Sequence, residues 1–166
     1  MLKFCTKNLL GILGLFFLIS CSNRFLVDDN MAAKLSAIRI EVEGESITNY
    51  EFENHLSNLL AIKSAGPKYR LEVKLNTTSS AMIIQKDSDS ARESVEVMVD
   101  YKLYDVNDSN LLYSGKFRQL GSYNTLFSPY STHIEQAKTG SNLAKASAEE
   151  LRRRLILYFK RTSLSR

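Results

Sequence analysis

Arg92-Glu93-Ser94-Val95-Glu96-Val97-Met98-Val99-Asp100-Tyr101-Lys102-Leu103-Tyr104-Asp105 is the stretch on which the fold turns. Val95, Val97, Val99, Tyr101 and Leu103 fall on one side of a period of two, with Glu96, Met98, Asp100 and Lys102 on the other. Successive side chains of a strand point to opposite faces, so this pattern predicts a strand with one face in a core and one in water. Downstream, Asn107-Asp108-Ser109-Asn110 predicts a turn, because Asx side chains bond their own backbone and tolerate positive φ. Leu111, Tyr113, Gly115 and Phe117 then continue as another strand. Upstream of a charged turn over 85–90, Tyr69, Leu71, Val73 and Leu75 alternate with Arg70, Glu72, Lys74 and Asn76. That strand is expected to run on, extended or bulged, through a Thr/Ser stretch toward Ile83 and Ile84. Three strands joined by short turns make an antiparallel meander.

Further out the period changes. Ile38, Ile40 and Val42 oppose Arg39 and Glu41, predicting a first strand that Gly44 ends. Thr48 and Glu51 have the spacing of a capping box, and Phe52, Leu56, Leu59 and Leu60 recur at helical intervals before Gly66-Pro67, which predicts a helix over about 49–63. From Ser131, Ile134, Ala137, Ser141, Ala144, Ala148, Leu151, Leu155 and Tyr158 step alternately by three and four, the seam of one long amphipathic helix. Gly140 is a weak point within it, at up to ~1 kcal/mol relative to Ala. The order β-α-β-β-β-α predicts an α+β domain: two helices packed on one face of a four-stranded, mostly antiparallel (mixed) sheet. The helix between the first two strands makes that pair parallel and adjacent.

The chain has 166 residues, a formal charge of +4 and 44% hydrophobic residues, the composition of a single folded domain. Seven Gly and two Pro exclude collagen-like and low-complexity classes, and two Cys exclude a disulfide scaffold or a four-cysteine metal site. No dense Lys/Arg stripe is present for tracking phosphates, so nucleic acid is not expected as a partner.

The apolar residues are unevenly spread. Lys3 and Lys7 precede an uncharged run from Leu9 to Ile19, eleven residues that would rise only ~16 Å as a helix against ~30 Å of bilayer hydrocarbon. This is a basic n-region and an h-region, so residues 1–20 are expected to be a signal peptide. Leu18-Ile19-Ser20-Cys21 resembles the lipobox of bacterial lipoproteins. That resemblance implies cleavage before Cys21, an S-diacylglycerol on its sulfur and an N-acyl group on its new amino terminus; Ser22 permits transfer to the outer membrane. Removing residues 1–20 leaves 146 residues at +2, with no thiol beyond the acylated Cys21. Residues 21–35 are expected to form a lipidated tether and 36–166 a single domain.

Little in this chain points to catalysis. His55 and His133 fall on different predicted helices; Glu51 shares a helix face with His55, but one such pair supplies too few ligands for a metal. There is no nucleophile elbow, phosphate-cradling glycine loop or Cys nucleophile, so neither enzyme activity nor a cofactor or metal is expected. Charge placement is more informative. Lys86 and Arg92 flank the turn before the third strand, and Arg152, Arg153, Arg154, Lys160 and Arg161 crowd the end of the last helix. The second group suits the negative end of the helix dipole, or an anionic lipid surface.

Behind the lipobox, the stretch from Arg92 through Tyr101-Lys102-Leu103-Tyr104-Asp105, then Leu112-Tyr113-Ser114-Gly115, Ser122-Tyr123-Asn124, Ser128-Pro129-Tyr130 and the closing helix with Leu151, Leu155, Tyr158 and Phe159 resemble the lipopolysaccharide-assembly lipoprotein family LptE, in its alphaproteobacterial form. The resemblance implies an outer-membrane, lipid-anchored protein facing the periplasm and a barrel lumen. Such a protein plugs the LptD β-barrel, assists its assembly and binds lipopolysaccharide bound for the outer leaflet. It also implies that Lys86 and Arg92 meet phosphates of that lipid. The competing expectation is a free-standing periplasmic lipid-binding lipoprotein that serves an envelope transport system.

Overall fold

The computed structural model describes residues 29–62, 66–82, 92–125 and 128–164. Helix α1 (Asp29–Ser36) leads into strand β1 (Ile38–Glu43), helix α2 (Ile47–Leu60), strands β2 (Tyr69–Met82), β3 (Arg92–Asp105) and β4 (Leu111–Asn124), and the long helix α3 (Pro129–Leu164). The sheet order is β1-β2-β3-β4, with β1 parallel to β2 and the other pairs antiparallel. This is the expected mixed α+β sheet. The expected signal peptide, Cys21, Lys86 and the expected turn over 85–90 lie outside the described residues.

β2 and β3 pair in unbroken register from Tyr69 opposite Asp105 to Met82 opposite Arg92, so the Thr/Ser run is a regular extension and not a bulge. The irregularity falls between β3 and β4, where Leu103 faces Tyr113, Tyr104 faces Leu111, and Leu112 is the extra residue. In the turn between them, Asp105 and Asp108 accept bonds from the backbone N–H groups of Asn107 and Asn110 at 2.9 and 3.2 Å, and Ser109 takes φ 56°.

Three boundaries differ from the sequence reading. Residues 29–36 are not tether but α1, which buries Met31 and Leu35 in the core; one pair spaced by four gives too little periodicity to stand out. α2 is capped by Ser46, whose Oγ accepts the Asn49 N–H at 3.1 Å, and not by Thr48. The Asn49 amide also donates to the carbonyls of Glu43 and Gly44, at 2.9 and 3.1 Å, and thereby locks the corner between β1 and α2. The helix ends at Leu60 because Ala61 turns left-handed and returns the Ala61 and Ile62 N–H groups to Asn58 and Ser57. Finally, the buried face of α3 begins at Gly140 and runs through Leu143, Ala144, Ser147, Ala148, Leu151, Leu155, Ile156 and Phe159, leaving Ile134 and Ala137 exposed.

The start of that buried face is set by close approach. A Cβ on Gly121 of β4 would sit 2.9 Å from Thr139 Cγ2 and 3.2 Å from Leu143 Cδ1, so α3 meets the sheet where β4 lacks a side chain. Gly115 serves the same strand differently. Its Cβ would lie 2.9 Å from Tyr101 Cζ, and the Tyr101 ring crosses it between Tyr113 and Phe117, at centroid distances of 5.5 and 6.2 Å. Tyr158 stacks on Tyr113 at 4.8 Å, and Phe159 joins Tyr158 to Tyr69, which makes an aromatic seam between α3 and the sheet. Burial, with a hydrogen bond to Tyr113, pushes the Tyr101 hydroxyl up to about 12 against the opposing pull of Arg154.

Candidate functional site

α2 and α3, with the short α1, pack on one face of the sheet, so the outward residues of the strands face away from the core. They form rows across the sheet. Glu43, Lys74, Asp100 and Lys116 stand side by side on the four strands, with Lys74 2.7 Å from Glu43 and Lys116 2.7 Å from Asp100. The Glu43 hydrogen bond and charge hold the Lys74 ammonium above its ordinary pKa. The adjoining residues of β1 and β2 are tied by Arg70, which stands opposite Arg39 and Tyr104, pairs with Glu72, reaches Glu41 at 3.7 Å and lies 4.7 Å from the centre of the Tyr104 ring. Arg118 approaches Glu96 at 3.9 Å. These rows line a shallow groove of about 780 Å³ bounded by Glu41, Glu43, Glu72, Lys74, Asp100 and Lys116. The face is thus dense in charge, with many of its charges paired, and Met98 and Leu120 are among its exposed apolar side chains.

Toward the β2–β3 tip the same face changes to hydroxyls. Ser80 and Ser94 Oγ atoms are 2.9 Å apart, and Ser122 is the next residue in that row. Arg92, the first residue of β3, stands opposite Met82 and Asn124; it is exposed, and its Nε donates to Asn124 Oδ1 at 3.4 Å. On the inner side of the tip Tyr123 donates to Glu93, and burial together with that bond pushes its hydroxyl up to about 12. Of the two basic residues assigned to the tip, Arg92 is therefore where the sequence puts it, and Lys86 falls outside the described residues.

The basic end of α3 is not one patch. Arg153 and Arg154 both pair with Glu150, Arg154 Nε at 2.7 Å, and the Arg154 guanidinium lies 4.8 Å from the centre of the Phe117 ring. Arg152 has its Nε buried. Lys160 and Arg161 remain at the helix end, where α1 brings Lys34 into the same groove as Lys160, with its Nζ 5.9 Å from the Phe159 ring centre. Linear spacing could not reveal this regrouping, because Lys34 lies more than a hundred residues away in the chain. His55 Nε2 is 3.5 Å from Glu149 Oε1 across the α2–α3 seam, and His133 is exposed on α3. Among the described residues no group of three His, Cys, Asp or Glu is placed to hold a metal, and no helix is long and apolar enough to cross a membrane.

An uncharacterized protein of Rickettsia prowazekii (strain Madrid E), RP188, is 39% identical to this chain over 141 residues, covering 84% of the chain and 89% of its own length. The chain belongs to the RP188 family. No family model matches it. Among solved structures, the fold matches a candidate lipoprotein of Caulobacter crescentus CB15 with a TM-score of 0.66 at 18% identity, over 79% of this chain and 96% of that one. It also matches the rare lipoprotein B of Shewanella oneidensis, with a TM-score of 0.55 at 10% identity over 77% and 96%. This member of the RP188 family thus shares the architecture of these lipoproteins, and the likeness spans nearly the whole of each of them.

Proposed function

We propose that this chain is an outer-membrane lipoprotein, anchored through acylated Cys21, which plugs the lumen of the LptD barrel, assists its assembly and binds lipopolysaccharide in transit. The observation that carries this reading is the match to nearly the full length of rare lipoprotein B, in a chain that also has a lipobox. The LptE resemblance of the β3–β4 hairpin and closing helix adds the specific partner. The outer sheet face suits such a site: a barrel lumen is polar and water-lined, and rows of compensated ion pairs can lie against it without exposing a large apolar surface. We assign the chain no catalytic role.

In this reading Arg92 and Lys86 present positive charge at the tip to lipid phosphates, as charge-assisted contacts do elsewhere. Affinity isolation of the intact lipoprotein in mild detergent tests the barrel. A stoichiometric outer-membrane barrel is expected with it; a lone monomer carrying lipid would support the free-standing alternative. The lipid site is tested by Lys86→Ala with Arg92→Ala, which should weaken lipopolysaccharide capture in a pull-down at matched salt. Unchanged capture removes these two residues from the site.

A further inference from the structure

The end of the molecule formed by α1 and the last two turns of α3 combines features that the proposed barrel and lipid roles leave unused. Leu157 and Leu164 are 50% and 88% exposed and stand seven residues apart, so they lie on one stripe of α3. Lys160 and Arg161 fall between them in sequence. Across a groove of about 320 Å³, α1 contributes Asn30, Met31 and Lys34, facing Lys160, Ser163 and Leu164. Over α1 and residues 157–164 the charged residues are Lys34, Lys160 and Arg161 against Asp29 alone. Exposed leucines flanked by basic residues characterise helices that lie in a membrane interface, where the apolar side chains enter the headgroup boundary and the cations meet anionic lipid.

We propose that this end is a membrane-docking surface, binding anionic phospholipid headgroups through Lys34, Lys160 and Arg161 and seating Leu157 and Leu164 at the acyl boundary. The occupant follows from charge complementarity and from chain length. On the reading that Cys21 carries the lipid, seven residues lie between it and Asp29, and the eight Cα–Cα steps allow at most ~28 Å between anchor and α1. The surface nearest the anchor is therefore also the one with basic and apolar side chains exposed together. Met31 and Leu35 fix α1 to the core, so the docking contact would set the orientation of the whole domain to the bilayer, with the β2–β3 tip at the opposite end of the sheet.

The test uses residues 22–166, which retain every described residue and the entire core, so that the protein surface is read without the lipid. Co-sedimentation with vesicles of phosphatidylglycerol and phosphatidylcholine should exceed that with phosphatidylcholine alone and should weaken in high salt. Each such charge near an anionic surface contributes about fivefold, so Lys34→Gln with Lys160→Gln and Arg161→Gln should lower partition on the order of 100-fold. Leu157→Ser with Leu164→Ser should lower it further on either vesicle. Lys102→Gln with Arg118→Gln, on the uncovered sheet face, should leave binding unchanged. Equal binding to both vesicles, salt independence, an unaffected triple variant or an equal loss in the control pair would each overturn the proposal. Should the triple variant fail to fold, the salt and lipid dependence of the native sequence still decides. Lipidation is read separately, from the mass of the mature amino terminus, so failure of either idea is recognisable.

Discussion

Val97 and Met98 are consecutive in β3, yet they live in different solvents. Val97 lies between Thr77 and Gln119, fully buried beneath the helices, whereas Met98 lies between Asn76 and Arg118 on the uncovered face. The inner set is apolar and aromatic, closed by Tyr101, Tyr113, Phe117 and Tyr158, and fixes where α3 sits. Its neighbours one residue away are mostly charged or polar, many of them paired to one another, and no described element covers them. The contrast teaches that a single period of two separates what specifies the fold from what is left for partners. It also makes the two sets separable by mutation.

The sharpest way to break that contrast is one acid placed on either side of it. Val97→Asp buries an unpaired carboxylate and should lower unfolding free energy by about 4 kcal/mol or more, enough to abolish a cooperative urea transition. Met98→Asp should stay within ~0.5 kcal/mol. If both variants unfold alike, the outer face is covered and the contrast is wrong. Alkali probes the inner face without mutation. Tyr101 and Tyr123 are held near 12 in the fold and titrate near 10 when unfolded. Their contribution is complete below pH 10 and is lost as pH rises through 12. Stability should therefore decline over that window, by up to ~1.4 kcal/mol per pH unit per tyrosine, and more gently in Tyr123→Phe. Thermal melts at stepped pH measure the slope.

Two glycines sharpen the comparison further. Gly115→Ala drives a Cβ into the Tyr101 ring, which Tyr113 and Phe117 prevent from swinging away, and should lower stability by ~1–3 kcal/mol. Gly140→Ala should instead raise it by up to ~1 kcal/mol. The added Cβ meets only Thr48 Oγ1, at an ordinary 3.8 Å, and helix propensity improves. Urea midpoints of the two variants should move in opposite directions.

The parts of the fold legible in the sequence are those with a long period: the alternation of β2, β3 and β4, and the late seam of α3 at Leu151 and Leu155. What escaped depends on contacts between distant residues. Ser46, and not Thr48, caps α2, because the Asn49 side chain, bonding back to Glu43 and Gly44, decides where the helix begins. Ile134 and Ala137 continue the helical period but precede the point where α3 reaches Gly121. For the candidate site, Arg92 at the tip was legible from its place before the strand. The regrouping of the basic residues was not, since Arg153 and Arg154 turn to Glu150 and Lys34 arrives from another helix.

Photo-crosslinking from Met98 in living cells tests the central claim most directly, because it asks what covers the one sheet face that the described elements leave open. With a photoreactive side chain at position 98, the account predicts one discrete high-mass adduct containing an outer-membrane barrel protein, absent when the same group replaces buried Val99. A protein that is folded and present at its normal level, yet gives no barrel adduct from position 98, would contradict it.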